Sequence, residues 1–465
     1  MTIKRKSAAN GVKQALLASV LIAVPLALPS GLSWAAEGLS GQFTLGQKLQ
    51  HTNKTGVTSR QDEGAISRTD LGVSLTSETR SQTLSFRADT GLSYNFSDVG
   101  IMDRFQIEDP RVELAYKLQS RNSELTFDAD YRRADLDETA FIDNGLIVQE
   151  IVTGTGRRET YALRSGLTVG REGPTKLELN LLYGETNYSG TTDPGLVDTT
   201  TQQIDGRLTF QISPVASVNV FASHKELDAE TVGSNDRTTD RVGIGGSYDI
   251  TPTLTATAEV SHDKIETDNN AGTITTTDGI GYSFGLSRTL PNGELTFDFS
   301  EEETVNGKRR QATVGRQTTF KRGTMAYSLG VTKTDGLSAQ PLANLNVNYE
   351  LDKLSSLKLT VSQASSVNDD DETTINSRLG LTYARELSAL SSLTAGLQVT
   401  DRNTLTAGGE DQTSVRLNLS HRYEVGGDWE LVSGYTYTKT KRDTQADRKT
   451  STLFVGLERA FDFRP

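Results

Sequence analysis

Residues 161–186 read YALRSGLTVGREGPTKLELNLLYGET. Tyr161, Leu163, Leu167 and Val169 hold alternate places, a break falls at Glu172-Gly173-Pro174, and Leu177, Leu179, Leu181 and Tyr183 resume the beat. Arg164, Thr168, Lys176, Glu178 and Asn180 stand between them. Successive side chains of a strand point to opposite faces, so the stretch reads as a hairpin with one oily face and one charged face. Which face looks inward decides the architecture.

The same alternation continues from Leu39 to the end of the chain, without the i, i+3, i+4 apolar spacing of a helix. It marks about 22 strands, within a range of about 20 to 24. Tight turns such as LPNG at 290 and VGGD at 425 alternate strictly with longer polar connections. The longer ones include residues 52–65, 97–109, 135–155, 189–198, 268–273, 368–374 and 406–411. Short turns at one rim and long loops at the other point to an all-β fold: a single closed antiparallel transmembrane β-barrel spanning residues 37–465.

The polar parity settles the orientation. It carries Arg87 and Asp89, Arg111 and Glu113, Asp128, Asp130 and Arg132, Arg164, Lys176 and Glu178, Asp205 and Arg207, and Arg416 and Arg422. Drying so many charges in a sandwich core would cost several kcal/mol apiece. These residues are therefore expected to line a wet lumen, with the apolar parity facing lipid. Aromatics of the oily parity support this by recurring near both strand ends. Tyr116, Phe210, Tyr248, Phe320, Tyr349, Tyr423, Phe461 and Phe463 mark the short-turn side; Tyr94, Tyr183, Tyr188, Tyr435 and Tyr437 mark the other. Two aromatic girdles suit the two membrane interfaces.

Residues 1–36 differ in kind. Lys4, Arg5, Lys6 and Lys13 precede an apolar run from Ala15 to Leu28, and Ser33-Trp34-Ala35 supplies small residues for cleavage. This predicts a secretory signal peptide cut after Ala35 or Ala36. Beyond it remain 44 Lys+Arg (48 minus 4) against 60 Asp+Glu, an acidic balance that argues against nucleic acid as a partner. With no Cys, disulfides and thiolate metal sites are excluded.

On these patterns the chain resembles Gram-negative outer-membrane β-barrel proteins over its whole mature length. The ending LFVGLERAFDFRP, with Phe461 and Phe463, resembles the terminal strand signal of that group, although Arg464 and Pro465 follow the last Phe. The resemblance implies placement in the cell outer membrane, contact with its lipid and lipopolysaccharide, and handling by the barrel assembly machinery. It is porin-like: strand one begins within a few residues of the expected cleavage site, so no plug domain is expected.

Chemistry-bearing constellations are sparse. Outer-membrane phospholipases pair Ser with His, but His51, His224, His262 and His421 have no close His-x-Ser partner. His224 and His262 fall at similar heights on strands two apart, yet a zinc site wants three or four ligands. The run from Asn368 to Glu372 reads as a solvated loop because it lacks the spaced oxygens of a calcium loop. Glycines in GIGG at 243 and GIGYSFG at 279 read as relief of crowding. Residues 135–155 either extend above the membrane or fold inward to narrow the lumen. The expectation is a non-enzymatic channel for polar solutes, including export of a polysaccharide, with no cofactor or metal. The alternative is a structural or surface-interaction barrel that scaffolds a periplasmic or lumenal partner.

Overall fold

The computed structural model describes residues 38–56, 64–96, 105–136, 156–191, 196–230, 235–269, 273–367, 372–406, 411–442 and 445–463. The expected signal peptide, most of 135–155 and all but Glu372 of the acidic run lie outside them.

The chain forms 22 strands. The first seven are β1 (Leu39–Thr55), β2 (Gly64–Glu78), β3 (Gln82–Asn95), β4 (Phe105–Gln119), β5 (Ser123–Asp135), β6 (Arg157–Val169) and β7 (Thr175–Ser189). Next come β8 (Thr199–Ser213), β9 (Ala216–Ala229), β10 (Asp236–Thr251), β11 (Leu254–Asp268), β12 (Ile274–Leu290), β13 (Gly293–Thr304) and β14 (Gly307–Phe320). The last eight are β15 (Gly323–Thr334), β16 (Gln340–Glu350), β17 (Ser355–Val367), β18 (Thr373–Ser388), β19 (Ser391–Thr404), β20 (Gln412–Gly426), β21 (Trp429–Arg442) and β22 (Gln445–Phe463). Each pairs antiparallel with its sequence neighbours, and β22 returns to pair with β1 from Gly41↔Phe463 to Thr55↔Lys449. The sheet closes on itself and has no edge strand, the arrangement by which a β-structure pairs its backbone groups in lipid.

The opening hairpin is β6–β7. Leu163 faces Tyr183 and Leu167 faces Leu179 across it, all on the oily face. Gly170 makes the turn at φ 83°, where an added Cβ would collide with the carbonyl oxygen of Thr175.

Burial is inverted relative to a water-soluble domain. Leu49 (55%), Val242 (58%), Leu329 (62%) and Leu453 (62%) are exposed on the outer face. Many of the buried side chains are polar, including Thr52, Thr201, Asp263, Thr334, Thr374 and Gln412. They belong to the parity opposite the oily one and gather toward the long-loop rim. An exterior of large exposed apolar residues around a hydroxyl-rich interior is stable only where something apolar covers the outside.

Four details correct the sequence reading. The connections do not alternate strictly, since β13–β14 and β21–β22 each leave two residues between strands at the long-loop rim. Residues 105–109 are strand, not loop, because β4 begins at Phe105. Strand β1 likewise runs to Thr55 and β2 starts at Gly64, which shortens the first long connection. Tyr188 belongs to no outer girdle: on β7 it has the inward parity, packs against fully buried Leu136, and lies 5.8 Å beneath the Arg158 guanidinium. Elsewhere aromatics do cluster on the outer face, as in Phe320–Tyr349 (5.9 Å) at the short-turn rim and Tyr94–Phe96 (5.1 Å) at the other.

Candidate functional site

A cavity bordered by many consecutive strands of a closed barrel lies on its concave side. One of about 660 Å³ is lined by residues of β19–β22 and β1–β5. Another, of about 640 Å³, is lined by β7–β13. A third, of about 880 Å³, lies toward the short-turn end of β20–β22 and β1–β3 and shares Thr44, Asp70 and Arg87 with the first.

Period-two spacing puts residues i and i+2 side by side on one face, and the lumen uses this to pair its charges. Arg87 contacts Asp89 at 2.5 Å, Lys176 contacts Glu178 at 3.0 Å, and Arg111 contacts Glu113. Pairs also cross strands: Arg164–Asp130 (2.8 Å) joins β6 to β5, and Arg207–Glu259 (2.5 Å) reaches from β8 to β11. In the third cavity Arg422 meets Glu430 at 2.7 Å and Glu458 at 3.2 Å. Such wet pairs add little stability each, but they cancel charge that a solute would otherwise meet.

The candidates from the sequence fall into separate groups. Arg87, Asp89, Arg111, Arg132 and Arg416 line the first cavity, and Glu178, Asp205 and Arg207 line the second. Asp128 sits opposite Arg164 in the β5–β6 register. Parity alone would also have found Lys48, Arg68 and Asp70, which line the first cavity between outward Leu49 and Leu71. Lys48 reaches Asp70 and Glu458, both at 2.8 Å, and Arg68 reaches Asp70 at 2.6 Å.

Glu108 and Asp109 were hidden by a bulge. Asp89 faces Arg111 while Gly91 faces Glu108, so β4 carries one extra residue there, and Asp109 takes φ 46°. The extra residue turns both carboxylates toward Arg68, at 2.8 and 3.4 Å.

The bore is narrowed by an element that strand patterns do not reveal. Strand β13 leaves β12 after Tyr282↔Glu301, although β12 continues to Ile274 against β11. From the freed tip, Asn306 Nδ2 donates to Thr373 Oγ1 (3.0 Å) and Arg309 donates to the Ser365 carbonyl (3.1 Å). On the other side Glu302 meets Arg309 at 2.6 Å and Arg241 of β10 at 3.4 Å. Neighbouring strands stand about 4.8 Å apart, so β14 and β18 would be about 19 Å apart along an even wall. Asn306 bridges that span and Arg309 the shorter one to β17, so the wall folds inward and the hairpin tip leans over the lumen.

The histidines do not assemble. His224 is held by Asp240 (2.6 Å) and Glu226 (3.2 Å) on the outer face, while His262 Nε2 lies 3.9 Å from Asp278. No group of three or more His, Asp or Glu able to hold a metal occurs among the described residues. A Ser–His contact does exist, between Ser391 Oγ and His421 Nε2 at 2.9 Å across β19–β20. Among the described residues no carboxylate bonds its other ring nitrogen, so the orienting third group of a triad is missing. The in-strand glycines do relieve crowding: a Cβ on Gly281 would stand 2.8 Å from Ser261 Oγ and 2.9 Å from Asp263 Oδ2.

No family model matches this sequence, and no curated protein matches it. Solved structures do. The FrpB iron transporter from Neisseria meningitidis superposes with TM-score 0.56 at 10% identity, covering 91% of this chain and 81% of that one. A ferric enterobactin receptor variant from Pseudomonas aeruginosa, in complex with enterobactin, gives TM-score 0.54 at 9% identity with the same coverage. At that identity the likeness is one of fold: this chain is a closed 22-stranded antiparallel barrel of the kind those proteins share.

Proposed function

We propose that the barrel lies in the outer membrane of a Gram-negative envelope and passes polar solutes through its bore, including an exported polysaccharide. The observation that carries this reading is the pair of adjoining cavities along one wall, which share Thr44, Asp70 and Arg87 and lie between charged and hydroxyl side chains. The exposed apolar exterior supports a lipid surround, with lipopolysaccharide against the long-loop half and the barrel assembly machinery inserting the chain. The similar folds named as a receptor and an iron transporter support membrane passage as the general task. The porin-like reading without a plug, cleavage of the signal segment, and the absence of enzymatic chemistry, cofactor and nucleic-acid partner belong to the same proposal.

Planar bilayer recordings of the purified protein test it. Discrete conductance steps support the channel, and silence at all voltages overturns it. The inward lean of the β13–β14 tip favours a second reading, a barrel that holds a periplasmic or lumenal partner. Recovery of one stoichiometric periplasmic protein with the tagged barrel would support that reading over the first.

A further inference from the structure

The first cavity is more than a stretch of bore. Its acids are already occupied: Asp70 by Lys48 and Arg68, Asp89 by Arg87, and Asp109 by Arg68. Arg132 and Arg416 also line it, both are exposed, and neither forms an ion pair among the described residues, although the charge of Arg132 also acts on Asp109. The strand register shows what surrounds them. Gln398, Arg416, Thr438 and Thr450 face one another in a row across β19–β22, and Thr436 with Thr452 repeats the motif one step along. On the opposite flank Arg132 faces Arg111 across β4–β5. The Phe454 ring completes the wall, with Lys48 Nζ 6.0 Å from its centroid.

Each part suits one ligand chemistry. A guanidinium binds a carboxylate bidentately. Threonine hydroxyls and a glutamine amide both donate and accept, as sugar hydroxyls do. An aromatic face covers the apolar side of a sugar ring. A volume of about 660 Å³ falls within the range of small-ligand sites. We infer that this cavity is a binding station for acidic saccharides, with Arg132 and Arg416 taking carboxylates and the threonine rows taking hydroxyls. The inference rests on the channel reading and names the class of solute that the bore selects.

The test uses trigalacturonate, which bears a carboxylate on every sugar, against uncharged maltotriose. Calorimetry on the detergent-solubilised barrel is expected to show trigalacturonate binding at least tenfold tighter than maltotriose. In bilayers the same ligand should interrupt the current at correspondingly lower concentration. The R132A/R416A variant should lose the preference, while K358A, in a wall bordering none of the three cavities, should keep it. Native electrophoretic mobility in unheated samples checks that both variants form the barrel. Equal affinity for the two trisaccharides, or a preference that survives R132A/R416A, overturns the inference even in a conducting pore. Absence of conductance with calorimetric binding intact overturns the channel reading and leaves the site standing.

Discussion

The two mid-lumen cavities are close in volume and differ in what their charges do. In the β7–β13 wall, Glu178, Asp205, Glu259 and Glu302 line the space with Arg207, Lys225 and Arg241. Arg207 and Arg241 are held by carboxylates, with Arg241 bonded at 2.8 Å to Asp263, whose side chain is 1% exposed. In the wall of β19–β22 and β1–β5 the carboxylates are the held partners, and Arg132 and Arg416 line the space with no ion pair among the described residues. The difference teaches that counting acids and bases along a pore says little about its field. Which member of each pair is left over decides what a passing ion meets.

Reversing the free guanidiniums should have the largest effect on this contrast. The R132E/R416E variant should move the reversal potential in a KCl gradient strongly toward cation preference, as read in bilayers. Cutting the tip restraint should come next. With Arg309→Ala the contacts to Ser365 and Glu302 are lost, and unitary conductance should rise on the order of twofold as the open cross-section grows.

Packing on the lumen face of the acidic wall offers a third probe. A Cβ on Gly243 would stand 2.6 Å from the Val260 carbonyl and would also strike the Phe221 ring. Gly243→Ala should therefore lower stability by about 1–3 kcal/mol, measured by urea titration in detergent, with ion preference unchanged. Glu259→Gln should shift the reversal potential slightly toward anions by releasing Arg207, an effect well short of inversion.

The smallest effect belongs to a turn outside both walls. In the β16–β17 turn Asp352 accepts hydrogen bonds from the Ser355 side chain and, at 2.8 Å, from the Leu354 backbone N–H, which hold its pKa below the ordinary carboxylate value. A depressed folded pKa contributes stability above the unfolded value and loses it as pH falls through the folded one. Asp352→Asn should thus lower the unfolding midpoint slightly at neutral pH. That difference should vanish in acid, while conductance stays as in the parent.

Much of the fold was legible because strand alternation is a local property. Leu163 and Tyr183 announce their face without reference to any other strand, and the same holds for the charges opposite them. What escaped was set by local irregularity or by closure. The bulge at Asp109 breaks the period by one residue, so parity counted from Val112 misplaces the segment before it. Tyr188 kept a girdle residue's chemistry but sat on the other phase of β7. The reach of Arg207 to Glu259, and of Arg309 to Ser365, depends on how tightly the wall curls between strands distant in sequence. No pattern along the chain encodes that curvature. The leftover status of Arg132 and Arg416 follows from the same geometry, since it requires knowing every neighbour's partner.

The seam between β1 and β22 has a consequence for how the molecule comes into being. Gln42 Nε2 donates to Asp462 Oδ1 at 2.9 Å across 420 residues of chain, whereas the other strand pairings join sequence neighbours. All but one of the pairings can therefore zip early as hairpins, at low entropic cost. The last must wait until both sheet edges exist, and it is the slow, high-separation step. Until then the intermediate carries two bare edges and an apolar back, and is exposed to self-association. That single joining event alone removes both bare edges at once.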